Sequence, residues 1–199
     1  MKERLVIGSR GSQLALKQTH LIQERLLALY PQVNFHVEII KTSGDVKSEP
    51  LSVIGGKGVF TKELEDALID GRIDIAVHSL KDLPTLVPDQ LGIAAICERE
   101  DARDALVLRN GLAPNHSSLN DLASGAIVGT SSQRRLAQLK YLRHDVVVND
   151  LRGNVDTRVR KLDEGQYDAL ILAAAGLRRL KLGSRINTLI PISEMLPAV

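Results

Sequence analysis

The chain has 199 residues, of which 44% are hydrophobic and 25% are charged, a composition typical of globular proteins. Its single cysteine rules out an internal disulfide framework, and no Cys/His cluster has the spacing of a structural zinc site. No apolar run approaches the roughly 18 residues that span a bilayer, and no leader follows Met1. The sequence therefore predicts a cytoplasmic protein without metal or membrane contacts, with one large domain or two small ones.

The small net charge of +2 hides an uneven distribution along the chain. Residues 129–185 contain 12 Lys and Arg against 6 Asp and Glu, whereas the remainder contains 14 against 18. A basic second half indicates an anionic ligand. Nucleic acid is one candidate, but only five aromatic residues are available for base stacking and no basic run is continuous. A small polyanion fits at least as well.

Short apolar runs alternate with amphipathic helical patterns in the first half, which favours a mainly parallel sheet. Helical spacing of apolar residues predicts helices over 15–29 and 60–68. The charged stretch 99–104 is interpreted as the crossing between a first lobe, 1–98, and a second lobe, 105–192. The predicted strands of the first lobe are 5–7, 35–39, 73–77 and 93–96.

The second half repeats this plan, with helices predicted over 133–142 and 155–162. Short motifs also match between the halves, because residues 8–15 resemble 129–137 and residues 71–74 resemble 165–168. Internal duplication is therefore a hypothesis, and two α/β lobes facing a cleft are its structural form. The predicted strands of the second lobe are 105–108, 127–128, 146–148 and 170–172.

Two strand-to-helix turns rich in Gly and Ser are the first candidates for a binding site. Backbone N–H groups at such a helix start are available to an anion. In an alternative interpretation, the serines are only N-caps and the arginines are solvated. The side-chain donors are Arg10 and Ser12 in the first turn, and Thr130, Ser131, Ser132, Arg134 and Arg135 in the second.

Further basic residues lie in separate loops. The Gly-Gly-Lys-Gly segment 55–58 either brings Lys57 to a ligand or forms only a surface loop. Another predicted helix start carries Arg152, Gly153 and Arg158, and Arg179 follows the strand near 170–172. Several guanidinium groups in one lobe indicate a ligand with several carboxylates or phosphates.

Residues 78–84, His-Ser-Leu-Lys-Asp-Leu-Pro, follow a predicted buried strand and so lie at its carboxyl end, where functional groups collect. A carboxylate next to a lysine at such a position is able to stabilise a developing cation or move a proton. Asp82 with Lys81 is therefore the catalytic candidate. The alternative is a polar loop closed by Pro84, and for His78 that structural role is favoured.

Together these motifs resemble the hydroxymethylbilane synthase family, also called the porphobilinogen deaminases, over essentially the whole chain. This resemblance implies an enzyme of heme and tetrapyrrole biosynthesis that joins porphobilinogen, with loss of ammonia, into the linear tetrapyrrole hydroxymethylbilane. The segments that carry the resemblance are 55–60, 78–84, 95–101, 129–135, 151–154 and 174–180.

The resemblance also implies a fold and residue roles. The fold is two similar lobes of the periplasmic-binding-protein-like (type II) kind, with the active site in the interlobe cleft, in a monomer. Asp82, with Lys81, is the catalytic carboxylate that stabilises azafulvene and pyrrole cations. The residues implied for a covalent dipyrromethane cofactor are Lys57, Ser79, Lys81, Asp82, Thr130, Ser131, Ser132, Arg134, Arg135 and Gly153. Those implied for the substrate are Arg10, Ser12, Arg152, Arg158 and Arg179.

One departure from the family concerns the cofactor. Family members are longer and carry the dipyrromethane on a cysteine of a third domain, which Cys97 does not match. We therefore expect residues 193–199 to begin a return segment to the first lobe, and the chain to be a fragment that is inactive alone. For Cys97 we expect a small, buried apolar role.

A two-lobed solute-binding or ligand-sensing module is the main alternative, because its fold would look much the same. A secreted solute binder needs a leader and a regulator needs a DNA-binding segment, and neither is visible. Neither class requires a carboxylate at Asp82. A nucleic-acid binder is the third possibility, disfavoured by few aromatic residues and dispersed basic ones.

Overall fold

The computed structural model describes residues 3–43, 61–110 and 118–198. The chain divides into two compact units, Met1–Cys97 and Glu98–Val199. Each unit is an α/β structure with its own sheet, which confirms the predicted fold class. Across the described residues, no helix combines the length and apolar character needed to cross a membrane.

The first unit has a parallel sheet of order β2-β1-β3, in which β1 pairs with both neighbours. Leu64 and Ile73 are buried in one apolar cluster with Val6 of β1 packed against it, so one face of the sheet is covered by the helix that precedes β3. Ile7 of β1 is buried in a second cluster with Phe35. The elements are β1 (Arg4–Ser9), α1 (Gln13–Leu29), β2 (Asn34–Ile39), α2 (Lys62–Ile69), β3 (Ile75–Ala76) and a 3₁₀ turn (Leu80–Asp82).

The second unit has a five-stranded sheet of order β6-β5-β7-β4-β8. Strands β5, β6 and β7 are parallel, whereas β4 runs antiparallel to both β7 and β8. The elements are β4 (Asp104–Leu108), β5 (Ile127–Gly129), α3 (Gln133–Leu142), β6 (Val147–Asn149), α4 (Val155–Asp163), β7 (Ala169–Ala173), α5 (Ala174–Arg179) and β8 (Thr188–Leu189).

The core of the second unit lies on both faces of its sheet. Alternate residues of β7 point to opposite sides, so that Ile171 joins one apolar cluster while Leu170 and Leu172 join the other. A strand buried on both faces needs an almost continuous apolar sequence. This requirement explains the Ala-Leu-Ile-Leu-Ala run of β7 and the complete burial of β4.

The matched motifs of the two halves perform the same structural task in each unit. Gly71 and Gly165 follow α2 and α4 with φ angles of 70° and 80°, a left-handed conformation that favours glycine. Three residues later, the Asp74 carboxylate accepts from the Val6 N–H at 2.8 Å. The Asp168 carboxylate accepts in the same way from the Ile127 N–H at 2.9 Å. These equivalent contacts support the duplication hypothesis.

The predicted strand 93–96 is wrong. These residues belong to no strand or helix, and Ile93 and Ile96 are 53% and 71% exposed. An apolar run becomes a strand only beside a hydrogen-bonding neighbour, and none of the strands in the described ranges pairs with it. The expected burial of Cys97 is also wrong, since it is exposed in this same stretch.

The predicted crossing 99–104 also needs a correction, because Asp104 is the first residue of β4. It is 1% exposed, and its backbone carbonyl accepts from the Ile190 N–H at 2.8 Å. The structure buries it because two arginines compensate its charge.

We predict that Gly129→Ala destabilises the second unit by about 1–3 kcal/mol, because overpacking forces the surrounding side chains to move. A Cβ at this position would lie 2.6 Å from Leu170 Cδ2 and 2.8 Å from Tyr167 Cδ1. Urea denaturation measures the change, with Gly183→Ala as the control, since its nearest new contact is at 3.9 Å. Equal midpoints for both variants would contradict the prediction.

Candidate functional site

Side-chain hydrogen bonds of 2.9–3.2 Å hold the β1–α1 turn of the first unit. Ser12 is the N-cap of α1, and its Oγ accepts from the Ala15 N–H at 3.2 Å. The buried Ser9 hydroxyl donates to the Arg10 carbonyl at 3.0 Å and accepts from Thr19 Oγ1 at 2.9 Å. Ser12 therefore caps α1, as in the alternative interpretation in which the serines are N-caps. The hydrogen bond from Ser9 to its carbonyl fixes the backbone at Arg10.

The loop after β3 presents Lys81 and Asp82 to solvent on a single 3₁₀ turn. The Asp82 N–H donates to the Ser79 carbonyl at 2.9 Å, which closes this turn. The Ser79 hydroxyl donates to Gln18 Oε1 of α1 at 3.0 Å. Gln18 thus anchors the loop, although the helical pattern around it gave no signal of that contact. Asp82 is an exposed carboxylate on an ordered support.

His78 is half-buried next to these two turns. Burial lowers the pKa of His78 below its usual 6.5. The charges of Glu65 and Asp82 oppose this shift and that of Arg10 adds to it. Because Arg10 and Asp82 both act on the same imidazole, the two predicted site turns of the first unit lie near one another. Lys57 lies outside the described residues.

The β5–α3 turn of the second unit differs from its counterpart in the first. Thr130 is buried, and its Oγ1 accepts from the Ser132 N–H at 3.2 Å. Ser132 occupies the N-cap position of α3, but its side chain makes no capping hydrogen bond. The alternative in which Ser132 only caps the helix is therefore wrong. Ser131 lies between them and is half-buried.

Arg134 and Arg135 both bind the carboxylate of Asp104. Arg134 Nη2 lies 2.7 Å from Asp104 Oδ2, and Arg135 Nη2 lies 2.7 Å from Asp104 Oδ1. Arg135 is 6% exposed and also donates to the Ile171 carbonyl at 3.1 Å, while the Arg134 side chain is 27% exposed. Two guanidinium groups and one carboxylate leave one positive charge at this turn. Both arginines therefore bind a protein carboxylate instead of being only solvated, and no sequence pattern indicated that Asp104 is this partner.

The loop before α4 is held through its carbonyl groups. Tyr167 Oη donates to the Asp150 carbonyl at 2.7 Å, Lys161 Nζ to the Arg152 carbonyl at 3.2 Å, and Arg158 Nε to the Gly153 carbonyl at 2.7 Å. Gly153 has a φ of 109°, which favours glycine. Arg158 therefore shapes the loop that carries Arg152, whose Nε lies 3.7 Å from an Asp150 carboxylate oxygen.

Arg179 lies in the last turn of α5 rather than at a helix start, and it is half-buried. Its neighbour Arg178 pairs with Glu100 at 3.2 Å and Asp101 at 3.3 Å. Hydrogen bonds from Arg103 hold the pKa of Asp101 well below its usual range. This network fastens residues 100–103 to α5.

The structure thus gathers the predicted residues into separate groups. One group in the first unit contains Arg10, Ser12, Ser79 and the Lys81–Asp82 turn. In the second unit, the Thr130 N–H donates to the Asn149 carbonyl, so the turn before α3 lies beside the strand that leads into the Arg152 loop. In the described ranges, no cluster of three or more His, Cys, Asp or Glu side chains is placed to hold a metal ion.

A family model described as porphobilinogen deaminase, dipyromethane cofactor binding domain, matches residues 5–199. The chain belongs to the porphobilinogen deaminase family. The porphobilinogen deaminase of Nitrosomonas europaea is 55% identical over 198 residues, which are 99% of this chain and 63% of that protein. The one from Roseiflexus sp. (strain RS-1) is 52% identical over 200 residues, 100% of this chain and 64% of that protein. The chain thus spans less than two thirds of these relatives.

Among solved structures, the chain is similar to a lipoprotein from Bacillus subtilis that is a candidate methionine binder. The TM-score is 0.53 at 12% sequence identity, over 95% of this chain and 78% of that one. A likeness at this identity concerns the fold alone.

The turn before α3 fits the dipyrromethane named by the family model, because that group carries acetate and propionate side chains. Arg135 Nε is buried with no hydrogen-bond partner among the described residues. The turn also has one surplus positive charge and a helix start without a side-chain cap, both of which favour a carboxylate.

We predict that the first unit loses stability between pH 7 and pH 5 through His78. Since the folded pKa of His78 is below 6.5, the unfolded chain binds more protons as the pH falls through that value. His78→Gln removes this contribution and flattens the dependence of unfolding free energy on pH, measured by urea denaturation. His36→Gln, at an exposed histidine of the same unit, is the control for loss of an imidazole. Identical slopes for His78→Gln and the parent chain would contradict the prediction.

Proposed function

We propose that this chain contributes the pyrrole-binding and catalytic groups of an enzyme that joins porphobilinogen stepwise into hydroxymethylbilane with loss of ammonia. The observation that carries the proposal is Asp82, an exposed carboxylate on the ordered turn after β3. Membership of the porphobilinogen deaminase family supports it. The substrate is a small dicarboxylate, which agrees with the surplus of positive charge in residues 129–185.

Asp82 is proposed to accept a hydrogen bond from the pyrrole N–H of the substrate. As the bond from the substrate's methylene carbon to its amino nitrogen breaks and the nitrogen leaves as ammonia, the methylene stays on the ring and positive charge spreads over both to give an azafulvene cation. A carboxylate about 4 Å from such a charge contributes on the order of 4 kcal/mol at the effective dielectric constant of a protein surface. The interaction exists only while the cation is present, so it lowers the barrier rather than simply binding the substrate.

The anchoring of the Asp82 turn matters for this role. Ser79 ties the loop to α1 through Gln18, and the Asp82 N–H closes the turn on the Ser79 carbonyl. A carboxylate held in this way loses little entropy when the charge develops. We propose that the positively charged Lys81 side chain pairs with a carboxylate of the bound pyrrole.

When bound, dipyrromethane supplies a free pyrrole carbon as the nucleophile on which the chain grows. The residues of this chain hold the carboxylates of dipyrromethane and exclude water from them. Guanidinium groups hold a carboxylate through two-point contacts. We propose that the residues holding it are Lys57, Ser79, Lys81, Asp82, Thr130, Ser131, Ser132, Arg134, Arg135 and Gly153.

For the substrate and the growing chain, Arg152 is the principal proposed contact. It is partly buried at the start of α4, where Asn154 makes no side-chain cap, and side chains on both sides hold the loop. Arg158 acts by holding the Gly153 carbonyl. The other proposed substrate residues are Arg10, Ser12 and Arg179.

The chain spans about 63% of its relatives, so we propose that these 199 residues bind porphobilinogen without releasing hydroxymethylbilane by themselves. The only cysteine, Cys97, is exposed in an unpaired segment and is not proposed as the attachment point of dipyrromethane. A monomeric state and a cytoplasmic location belong to the same proposal.

We predict that Asp82→Asn lowers the rate of ammonia release from porphobilinogen by about 10²–10³-fold, with the KM changed less than about threefold. The amide keeps the shape of the side chain but loses its charge. The measurement uses an enzyme that carries this chain at the full length of the relatives.

Asp89→Asn is the matched control for Asp82→Asn, because Asp89 is also exposed and lies in the same connection. The control should retain the parent rate. A rate for Asp82→Asn within tenfold of the parent would overturn the proposed role of the carboxylate.

We predict that Arg152→Leu lowers kcat/KM for tetrapyrrole formation by about 10–100-fold, because hydrogen bonds to charged groups contribute about 1.5–3 kcal/mol each. Product is followed by its absorbance after oxidation to porphyrin. Arg160→Leu is the control, since Arg160 pairs with Glu164 on the exposed side of α4. Comparable losses in both variants would show that the effect comes from α4 rather than from the ligand.

A further inference from the structure

Asp104 is a buried carboxylate that the proposed reaction does not itself require. It is the first residue of β4, which lies between β7 and β8 in the second sheet. Its backbone is fixed on both sides, by register with Ala173 and by the hydrogen bond from Ile190. The carboxylate is therefore placed by the sheet, and the side chains that reach it must adapt to that position.

One arginine would suffice to compensate this charge. Arg135 is almost fully buried and binds both Asp104 and the Ile171 carbonyl. Burying a carboxylate without a partner is costly, and the ion pair between Arg135 and Asp104 alone offsets that cost. Arg134 is thus additional. Its guanidinium group remains 27% exposed while it binds the second carboxylate oxygen and the Leu196 carbonyl.

The resulting triad has features that a purely structural ion pair does not need. It retains one uncompensated positive charge, and the buried Arg135 Nε has no acceptor among the described residues. It also lies at the first turn of α3, where Ser132 leaves the helix start without a side-chain cap. These features suit an incoming carboxylate.

We propose that Asp104 is a positioning residue for the ligand carboxylates of this site. Its two oxygens fix the planes of Arg134 and Arg135 before a ligand arrives, and leave the pair with one positive charge. Arginine side chains lose rotamer entropy when they are ordered, so a pair ordered in advance binds a carboxylate more tightly. This proposal rests on the proposed function, because it takes a pyrrole carboxylate as the ligand.

The test measures porphobilinogen binding to the full chain by calorimetry. Asp104→Asn should weaken binding about tenfold or more. The neutral amide has a single acceptor oxygen, so it holds one guanidinium group instead of two. Asp145→Asn is the matched control, since Asp145 binds Arg143 through two contacts at 2.8 Å beyond the other end of α3. It should bind porphobilinogen within about twofold of the parent. Urea midpoints show that each variant is folded.

A double-mutant cycle with Arg134→Gln separates positioning from a general loss of structure. In the Arg134→Gln background Asp104 orients only Arg135, so Asp104→Asn should weaken binding by a clearly smaller factor there than in the parent. If Asp104→Asn weakens porphobilinogen binding by the same factor in both backgrounds, the proposal is overturned. It is also overturned if Asp104→Asn binds like the parent while Arg134→Gln binds weakly. Parent-like binding by Arg134→Gln would instead refute the proposed carboxylate site, and the role of Asp104 with it.

A second variant tests the positioning role of Asp104 even if Asp104→Asn does not fold. Arg134→Lys retains the charge on a partly exposed side chain but loses the planar guanidinium group that Asp104 orients. We expect porphobilinogen binding about fivefold weaker or worse. Parent-like binding would show that charge alone suffices and would overturn the positioning role.

Discussion

The contact between the Asp104 carboxylate and two guanidinium groups determines how the second unit is built around its site. The carboxylate belongs to a strand inside the sheet, and both arginines belong to the first turn of α3. Because a charge removed from water must be compensated, this contact fixes α3 against β4. Arg135 extends the same connection to β7 through the Ile171 carbonyl. The first turn of α3 is thus anchored to the core by charge as well as by apolar packing.

The two units show how one scaffold carries different chemistry. In each, a glycine ends a helix and an aspartate three residues later binds the N–H of the neighbouring strand. The turns that follow β1 and β5 then diverge. Ser12 caps α1, whereas Ser132 leaves α3 uncapped next to two arginines. The duplication hypothesis accounts for the shared framework, and the different residues of the two turns account for the difference in charge.

The sequence predicted most elements because their periodicity is local. Apolar spacing placed α3 at 133–142, its observed bounds, and the continuous apolar run near 170 predicted β7. It failed where the outcome depends on a distant partner. The segment 93–96 has the composition of a strand but no neighbour in the described ranges, and the burial of Asp104 depends on arginines 30 residues away. The site residues were recognisable as a set of donors, whereas their partners were not.

The site loops share a further property, which is that other side chains of the protein occupy their hydrogen-bonding groups in advance. Three donors hold consecutive parts of the loop at Asp150–Gly153, and Gln18 and Ser79 hold the turn at Asp82. A site that binds several similar pyrroles in succession gains from such rigid contacts, because each ligand carboxylate then meets a guanidinium group that is already ordered. Under the proposed function, rigidity within each loop, rather than the number of basic residues, makes the surplus of positive charge selective for carboxylates.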